Sequence, residues 1–256
     1  MASLAHDVQH ETVRGGGRSI GSELLLRRLL AITPLSPAEV ALVMSLKERP
    51  KLHPADTTIC PKSDGSPHPR LVVSGWACRP RILADGRRQM LGMVLPGDAL
   101  GDRGDRRPLA LNPAVALTPV RTIGAARLFE AATALRGMGS LAEALAELER
   151  QEEERLLDQI VRLGCQNALQ RTAHCLLEFY ERFRAIGFTH SGSFPMPLTQ
   201  ETLGDLLGLS LVHMNRILSQ LRREGLAEVR GGVVMVNDFA RLALLADRPD
   251  PTRRDG

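Results

Sequence analysis

What this chain of 256 residues lacks narrows its reading first. No apolar run comes near the roughly 18 to 20 residues that a membrane-spanning helix needs. The first 22 residues, MASLAHDVQHETVRGGGRSIGS, hold no apolar core of the kind a secretory signal carries, and the triple glycine within them reads as a frayed leader. Both absences point to a cytoplasmic protein. The four cysteines, Cys60, Cys78, Cys165 and Cys175, form no CxxC pair, which leaves neither a zinc knuckle nor an iron–sulfur spacing. Buried reduced thiols are the plain expectation, with a redox or metal sensor at Cys165 and Cys175, either side of His174, as the alternative. Between residues 51 and 127 only His53 and His68 occur, not as a His-x-His pair, so a metal-dependent barrel enzyme would lack its ligands. The expectation is no metal, no cofactor and no catalytic residue.

What is present is an ordinary soluble balance, 43% apolar and 24% charged, over a length that suits one or two domains. The formal net charge of +4 arises in residues 1–140, where 19 Lys and Arg face 12 Asp and Glu. A basic excess spread in this way reports a general tendency and no site. From Glu23 to Leu46 two short amphipathic helices are expected, the second opened by Ser36, Pro37 and Glu39 as a capping box with proline in the first turn. From Lys51 to about Arg127, runs of apolar and β-branched residues broken by Pro and Gly suggest an all-β barrel. Within it, RLVVSGWACRPRIL, ADGRR and QMLGMVL read as strands around a hairpin turn at Asp85-Gly86, and PGDALGD as a further turn. Arg87, Arg88 and Gln89 then belong to a surface hairpin rather than a ligand site.

Leu141, Leu145, Leu148, Leu156, Ile160 and Leu163 recur near the helical period, which predicts a long helix ending near Gly164. A helix of about 25 residues spans about 37 Å. A stripe of that length is read as a dimerisation seam against a second copy, with packing across its own barrel as the alternative, and Glu152 to Glu154 interrupt it. Asn167 is placed to cap a following helix whose Ala173, Leu176, Leu177 and Tyr180 share a face, and Gly187 to end it. FTHSGSFPMP reads as a loop.

The stretch TQETLGDLLGLSLVHMNRILSQLRREGL, residues 199–226, has the parts of a helix-turn-helix. Thr199 stands at an N-cap, with Gln200 in the first turn, and Leu203, Leu206 and Leu207 supply a buried stripe before Gly208 turns the chain. Ser210 caps the second helix, and Met214, Ile217, Leu218 and Leu221 give it a packing face. Arg216 lies where a guanidinium can bond a guanine edge twice. Arg222 and Arg223 near the exit suit phosphates or simple solvation, and His213 and Asn215 suit a DNA contact or a local role. Leu211 and Val212, facing a groove, could read only a thymine methyl or shape. LAEVRGGVVMVND reads as a two-stranded wing, and DFARLALLA as a closing helix.

SGWACRPRILADGRRQMLGMVLPGD, LGCQNALQRTAHCLLEFYER and the reader stretch above, in that order, make residues from about 24 to 246 resemble the Crp/Fnr family of bacterial transcription regulators. The resemblance implies an α+β chain: a cyclic-nucleotide-binding-like β-barrel of jelly-roll type, a long dimerisation helix and a carboxyl-terminal winged helix-turn-helix. The implied divisions are a flexible leader at 1–22, the barrel at 23–138, the dimer helix at 139–166, the DNA-binding domain at 167–246 and a flexible tail at 247–256. A homodimer is implied, reading a palindromic operator in double-stranded DNA with half-sites about 34 Å apart, and RNA polymerase is the further partner.

Two departures bear on the signal. Cyclic-nucleotide-binding members hold the ribose with a Gly-Glu step and the phosphate with a later Arg-Ser or Arg-Thr step. Here Gly101-Asp102 stands at the first and Asn112-Pro113 at the second, a degenerate effector pocket. Asparagine cannot neutralise a phosphate and proline has no N–H to donate, so cyclic AMP is not expected to bind. The cysteine cluster of the oxygen-sensing branch is missing from the leader, so no iron–sulfur centre is expected and the small-molecule effector stays open. The competing readings are a protein-interaction module and a cupin-like barrel enzyme with an accessory winged helix.

Overall fold

The computed structural model describes residues 20–46, 48–59, 69–86, 88–101, 113–134 and 139–252. The chain divides into two compact units. One comprises, among these, residues 20–80 and 91–155, and the other residues 81–90 and 156–252.

In the first unit, α1 (Ile20–Leu30) and α2 (Pro37–Met44) precede the sheets. Ser36 opens α2 by the expected reciprocal cap, its Oγ accepting from the Glu39 N–H while Glu39 accepts from the Ser36 N–H at 2.8 Å. The strands β1 (Lys51–His53), β2 (Arg70–Ser74), β3 (Ala77–Ile82), β4 (Arg88–Val94), β5 (Ala99–Leu100), β6 (Val115–Ala116) and β7 (Val120–Gly124) form two sheets, ordered β1-β7-β2-β5 and β4-β3-β6. β2 pairs antiparallel with β7, with an irregularity between Val72 and Ser74 that bends the strand. Between the layers lie Val72, Ala77, Val94, Leu100, Ala116 and Val120, all buried. α1 is fastened to this body by an ion pair between the buried Arg28 and Asp98, with Arg28 also donating to the Gly97 carbonyl at 3.0 Å.

Ile20, Gly21 and Ser22, expected to belong to the leader, instead form the first turn of α1, with Ser22 fully buried. Residues 1–19 lie outside the described residues.

α3 (Ala126–Ala134) and α4 (Ser140–Gly164) follow. The first half of α4 corrects the expected seam. Leu141 and Leu145 are buried with Leu25, Leu29, Leu71, Ile123 and Leu128, and Leu148 packs against the same cluster. Leu141 and Leu145 therefore belong to the chain's own core, and a partner could reach them only by opening it, whereas Leu148 is half-buried at its edge. The acidic interruption is also accounted for: Glu152 pairs with the buried Arg79 at 2.8 Å, and Arg150 bridges Glu147 and Glu154 along the helix.

In the second unit the end of α4 lies with α5 (Ala168–Ala185), β8 (Ser193–Pro195), α6 (Gln200–Leu207), α7 (Leu211–Arg223), β9 (Ala227–Arg230), β10 (Val233–Val236) and α8 (Phe239–Ala246). Asn167 caps α5 as expected, accepting from the Leu169 and Gln170 N–H groups. The stretch read as a loop contains β8, which pairs with β10 through Phe194↔Val234 and makes the wing three-stranded. Phe194 needs that placement because it stacks on Phe183 at 5.9 Å and meets Tyr180 edge-on at 6.2 Å.

Charged groups are buried here in pairs. Arg162 and Glu178 meet at 2.5 Å with both side chains almost wholly enclosed, and Arg182 reaches the second Glu178 oxygen at 3.0 Å. The start of the segment expected as a flexible tail is held in place: Arg248 bonds Asp158 at 3.2 Å, Glu181 at 2.9 Å and the His174 ring at 2.9 Å, and residues 253–256 lie outside the described residues. Among the described residues no helix is long and apolar enough to cross a membrane.

Candidate nucleic-acid interface

Local chemistry dictates each joint of the α6–α7 pair. The Thr199 hydroxyl accepts from the Thr202 N–H at 3.0 Å, satisfying one of the first-turn donors that an α-helix leaves unpaired. Leu203, Leu206 and Leu207 are buried, and Gly208 ends α6 in the left-handed conformation at φ 64°, which glycine alone adopts without strain. Gly204 is required by proximity, since a Cβ there would come within 2.5 Å of the Leu209 carbonyl oxygen. Ser210 then accepts from the His213 N–H and starts α7.

The carboxyl end of α6 is unusually well held. The last carbonyls of a helix lack partners within it, and here three side chains supply them. Gln89 donates to Asp205 O at 3.2 Å and Leu206 O at 3.3 Å, Gln159 to Leu206 O at 2.7 Å, and Arg171 to Leu207 O at 2.8 Å. Arg88 adds an ion pair with the Asp205 carboxylate. Arg88 and Gln89 are thus clamps on the support helix, a role that their sequence neighbourhood does not suggest; Arg87 lies outside the described residues.

α7 presents one buried and one open face. Met214, Ile217 and Leu221 are buried, and the helix contains no acidic residue in its 13 positions. At about 100° of rotation per residue, Val212, Arg216, Ser219 and Arg223 fall within about 50° of the direction opposite that stripe. Asn215 falls just beyond them, while Arg222, Leu211 and His213 lie on the flanks, about 75° to 105° away. Arg223 is therefore better placed than Arg222 to meet a ligand head-on. No hydrogen bond or ion pair ties Arg216 or Arg223 among the described residues. Asn215 is partly committed, its Nδ2 donating to the Leu211 carbonyl at 3.1 Å. Thr199 and Ser210 spend their hydroxyls on helix caps, and Gln200 is exposed in the first turn of α6. Arg230, which the sequence reading did not single out, is exposed at the wing beside Gly231 and Gly232.

Of the expected seam residues in this unit, Ile160 is 67% exposed, while Leu156 and Leu163 are half-buried. Leu157 and Val161, missed by the periodicity, stand open beside Ile160. Of the degenerate effector pocket, Gly101 sits at φ 84° after β5 and Pro113 leads into the buried Ala114; Asp102 and Asn112 lie outside the described residues.

The two cysteines of the sensor alternative differ in their surroundings. Cys175 is fully enclosed and burial pushes its thiol up to about 12, so the reactive thiolate is suppressed, whereas Cys165 is exposed. His174 is buried, and burial with the Arg162 and Arg248 charges holds it down at about 4. Among the described residues no cluster of His, Cys, Asp or Glu could hold a metal ion.

Residues 170–245 match the Crp-like helix-turn-helix domain. The chain is 31% identical over 175 residues to the transcriptional activator protein FnrL of Cereibacter sphaeroides, covering 67% of this chain and 69% of that one. It is also 31% identical to the nitrogen fixation regulation protein FixK of Bradyrhizobium diazoefficiens, over 68% of this chain and 72% of that one. Among solved structures, FixK2 from Bradyrhizobium japonicum superposes with a TM-score of 0.63 at 28% identity, over 77% of this chain and 96% of that one. A CRP-family transcriptional regulator from Thermus thermophilus shares the fold at 21% identity, over 78% of this chain and 98% of that one, with a TM-score of 0.56. The jelly-roll sheets, the long helix and a winged helix-turn-helix with an open basic face accordingly have one common explanation: the chain belongs to the Crp/Fnr family of transcription regulators.

Proposed function

We propose that this regulator is a homodimer that reads a palindromic operator in double-stranded DNA, acts in the cytoplasm, has no catalytic activity of its own and does not respond to cyclic AMP. The observation that carries the DNA reading is the open face of α7, which offers Arg216 and Arg223 without partners among the described residues and has no carboxylate to repel a phosphate. The Arg216 guanidinium reads a guanine edge by two hydrogen bonds, and Arg223 and Arg230 neutralise phosphates. Gln200 and the first turn of α6 lie toward the backbone of the duplex.

Leu157, Ile160 and Val161, exposed by 62%, 67% and 46%, support dimerisation through the second half of α4. Their spacing puts them on one stripe, and a matching stripe on a partner helix would remove them from water. The absence of an arginine at the Asn112-Pro113 step supports the loss of cyclic AMP binding, because the anion would find no charge there and no backbone N–H on the proline. Contact with RNA polymerase accompanies the family assignment.

Selection of bound DNA from a random pool, run with the full chain at two salt concentrations, tests the proposal. The expected product is an inverted repeat with half-site centres about one helical turn apart, recovered at both concentrations. A sequence-indifferent pool, from a protein that sediments as a monomer at every concentration, would overturn it. Titration calorimetry with cyclic AMP is expected to show no heat of binding.

A further inference from the structure

The most outward side chain of α7 is apolar, and nothing in the fold requires it to be. Val212 is 71% exposed and stands opposite the buried Met214, Ile217 and Leu221. A β-branched residue lowers helix stability relative to a straight-chain one, and the first turn of a helix favours an acidic side chain. Local stability therefore argues against valine here twice. Its surroundings are cationic: Arg216 lies one turn on along the same face, Arg223 further along it, and no acid interrupts. The amide of Asn215, which could have read an adenine, is turned back onto the Leu211 carbonyl.

We infer, on the basis of the DNA reading above, that Val212 is a specificity-determining residue that contacts the 5-methyl group of a thymine. Among the major-groove edges only thymine offers an apolar group, whereas adenine and cytosine present amino donors that valine would leave unpaired. Residues four apart on a helix have Cβ atoms about 5 to 6 Å apart, and bases along a strand are stacked about 3.4 Å apart. The thymine therefore lies within two base pairs of the guanine read by Arg216. The half-site is accordingly recognised by one charged and one apolar contact from the same face, the first by hydrogen bonding and the second by shape.

The test replaces each thymine of the selected operator, one at a time, with deoxyuridine, which removes the methyl and leaves every hydrogen-bonding group. Binding of the full chain is measured by fluorescence anisotropy, and the Arg216 guanine is located by selection with Arg216→Ala. The expected result is one thymine per half-site, within two base pairs of that guanine, whose replacement weakens binding about threefold to fourfold, the effect of one buried methyl group. Val212→Ser should melt like the parent protein, keep the guanine preference and lose the penalty. Val212→Ala, a better helix former, should retain at most part of it. Tolerance of uracil at every thymine, or an undiminished penalty in Val212→Ser, would overturn the assignment while leaving the DNA reading intact. Failure to recover any selected sequence would overturn the DNA reading and this inference with it, so the two failures are distinguishable.

Discussion

Two groups of arginines in residues 156–252 have opposite fates. Arg162, Arg182 and Arg248 are drawn inward, each joined to a carboxylate, and together they lock the end of α4, α5 and the segment after α8 into one body. Arg216 and Arg223 project from α7 without partners among the described residues. The same side chain serves as an internal fastener in one place and as an open hand in the other. Burying a charge is costly unless it is matched, so the interior supplies a match; a charge left in water costs the fold little and is available to a ligand. Substitutions in the two groups should therefore separate stability from DNA binding.

The largest effect is expected from Arg162→Ala, which takes from the buried Glu178 one of its two arginines and leaves Arg182 alone to match it. Loss of about 3 to 5 kcal/mol should appear in chemical denaturation, and a loss below about 1 kcal/mol would show that the pair is not enclosed in solution. Next is the pH response of His174. Its ring has an ordinary value of 6.5 and is held at about 4 in the fold by burial, with Arg162 and Arg248 adding to it against the opposing pull of Asp158. The unfolded chain therefore takes up a proton in a window where the native protein does not. This contribution is present above pH 6.5 and is lost as pH falls toward 4, by on the order of 2 kcal/mol. His174→Gln should flatten that part of the melting-temperature profile; an identical profile in the variant would refute the assignment.

On the open side, Arg216→Ala should leave the melting temperature unchanged while relaxing the preference at one base pair, with about 1 to 3 kcal/mol lost on the preferred site. An unaltered selected sequence would remove Arg216 from base reading. The smallest effect belongs to Arg223→Ala, expected to weaken all sequences alike and lower the slope of log K against log salt by about one. If Arg222→Ala changes the slope and Arg223→Ala does not, the α7 face has been drawn in the wrong direction.

Short-range chemistry made parts of this architecture legible in the sequence. Ser36 with Glu39, Asn167 with Gln170, Thr199, Gly208 and Ser210 all form the caps and turns that their neighbours within four residues imply. Whatever depends on distant partners was not legible. Leu141, Leu145 and Leu148 have the same spacing as Leu156, Ile160 and Leu163, and periodicity carries no sign of the core that buries Leu141 and Leu145 and half-covers Leu148. β8 is three residues long and pairs with a strand about forty positions later, so no local pattern announces it. Gln89 grips carbonyls 116 and 117 residues away. On α7, the sequence favoured Arg222, but the direction of the buried stripe favours Arg223.

Arg248 carries a practical consequence for anyone trimming this protein. A truncation after Ala246 would look harmless, since it keeps every helix and strand of the reader. It would nonetheless strip the cation from Asp158, Glu181 and the His174 ring, leaving two carboxylates and an imidazole crowded around an empty place. The smallest self-sufficient reader fragment therefore extends past its last helix, and its stability is completed by an irregular stretch of chain.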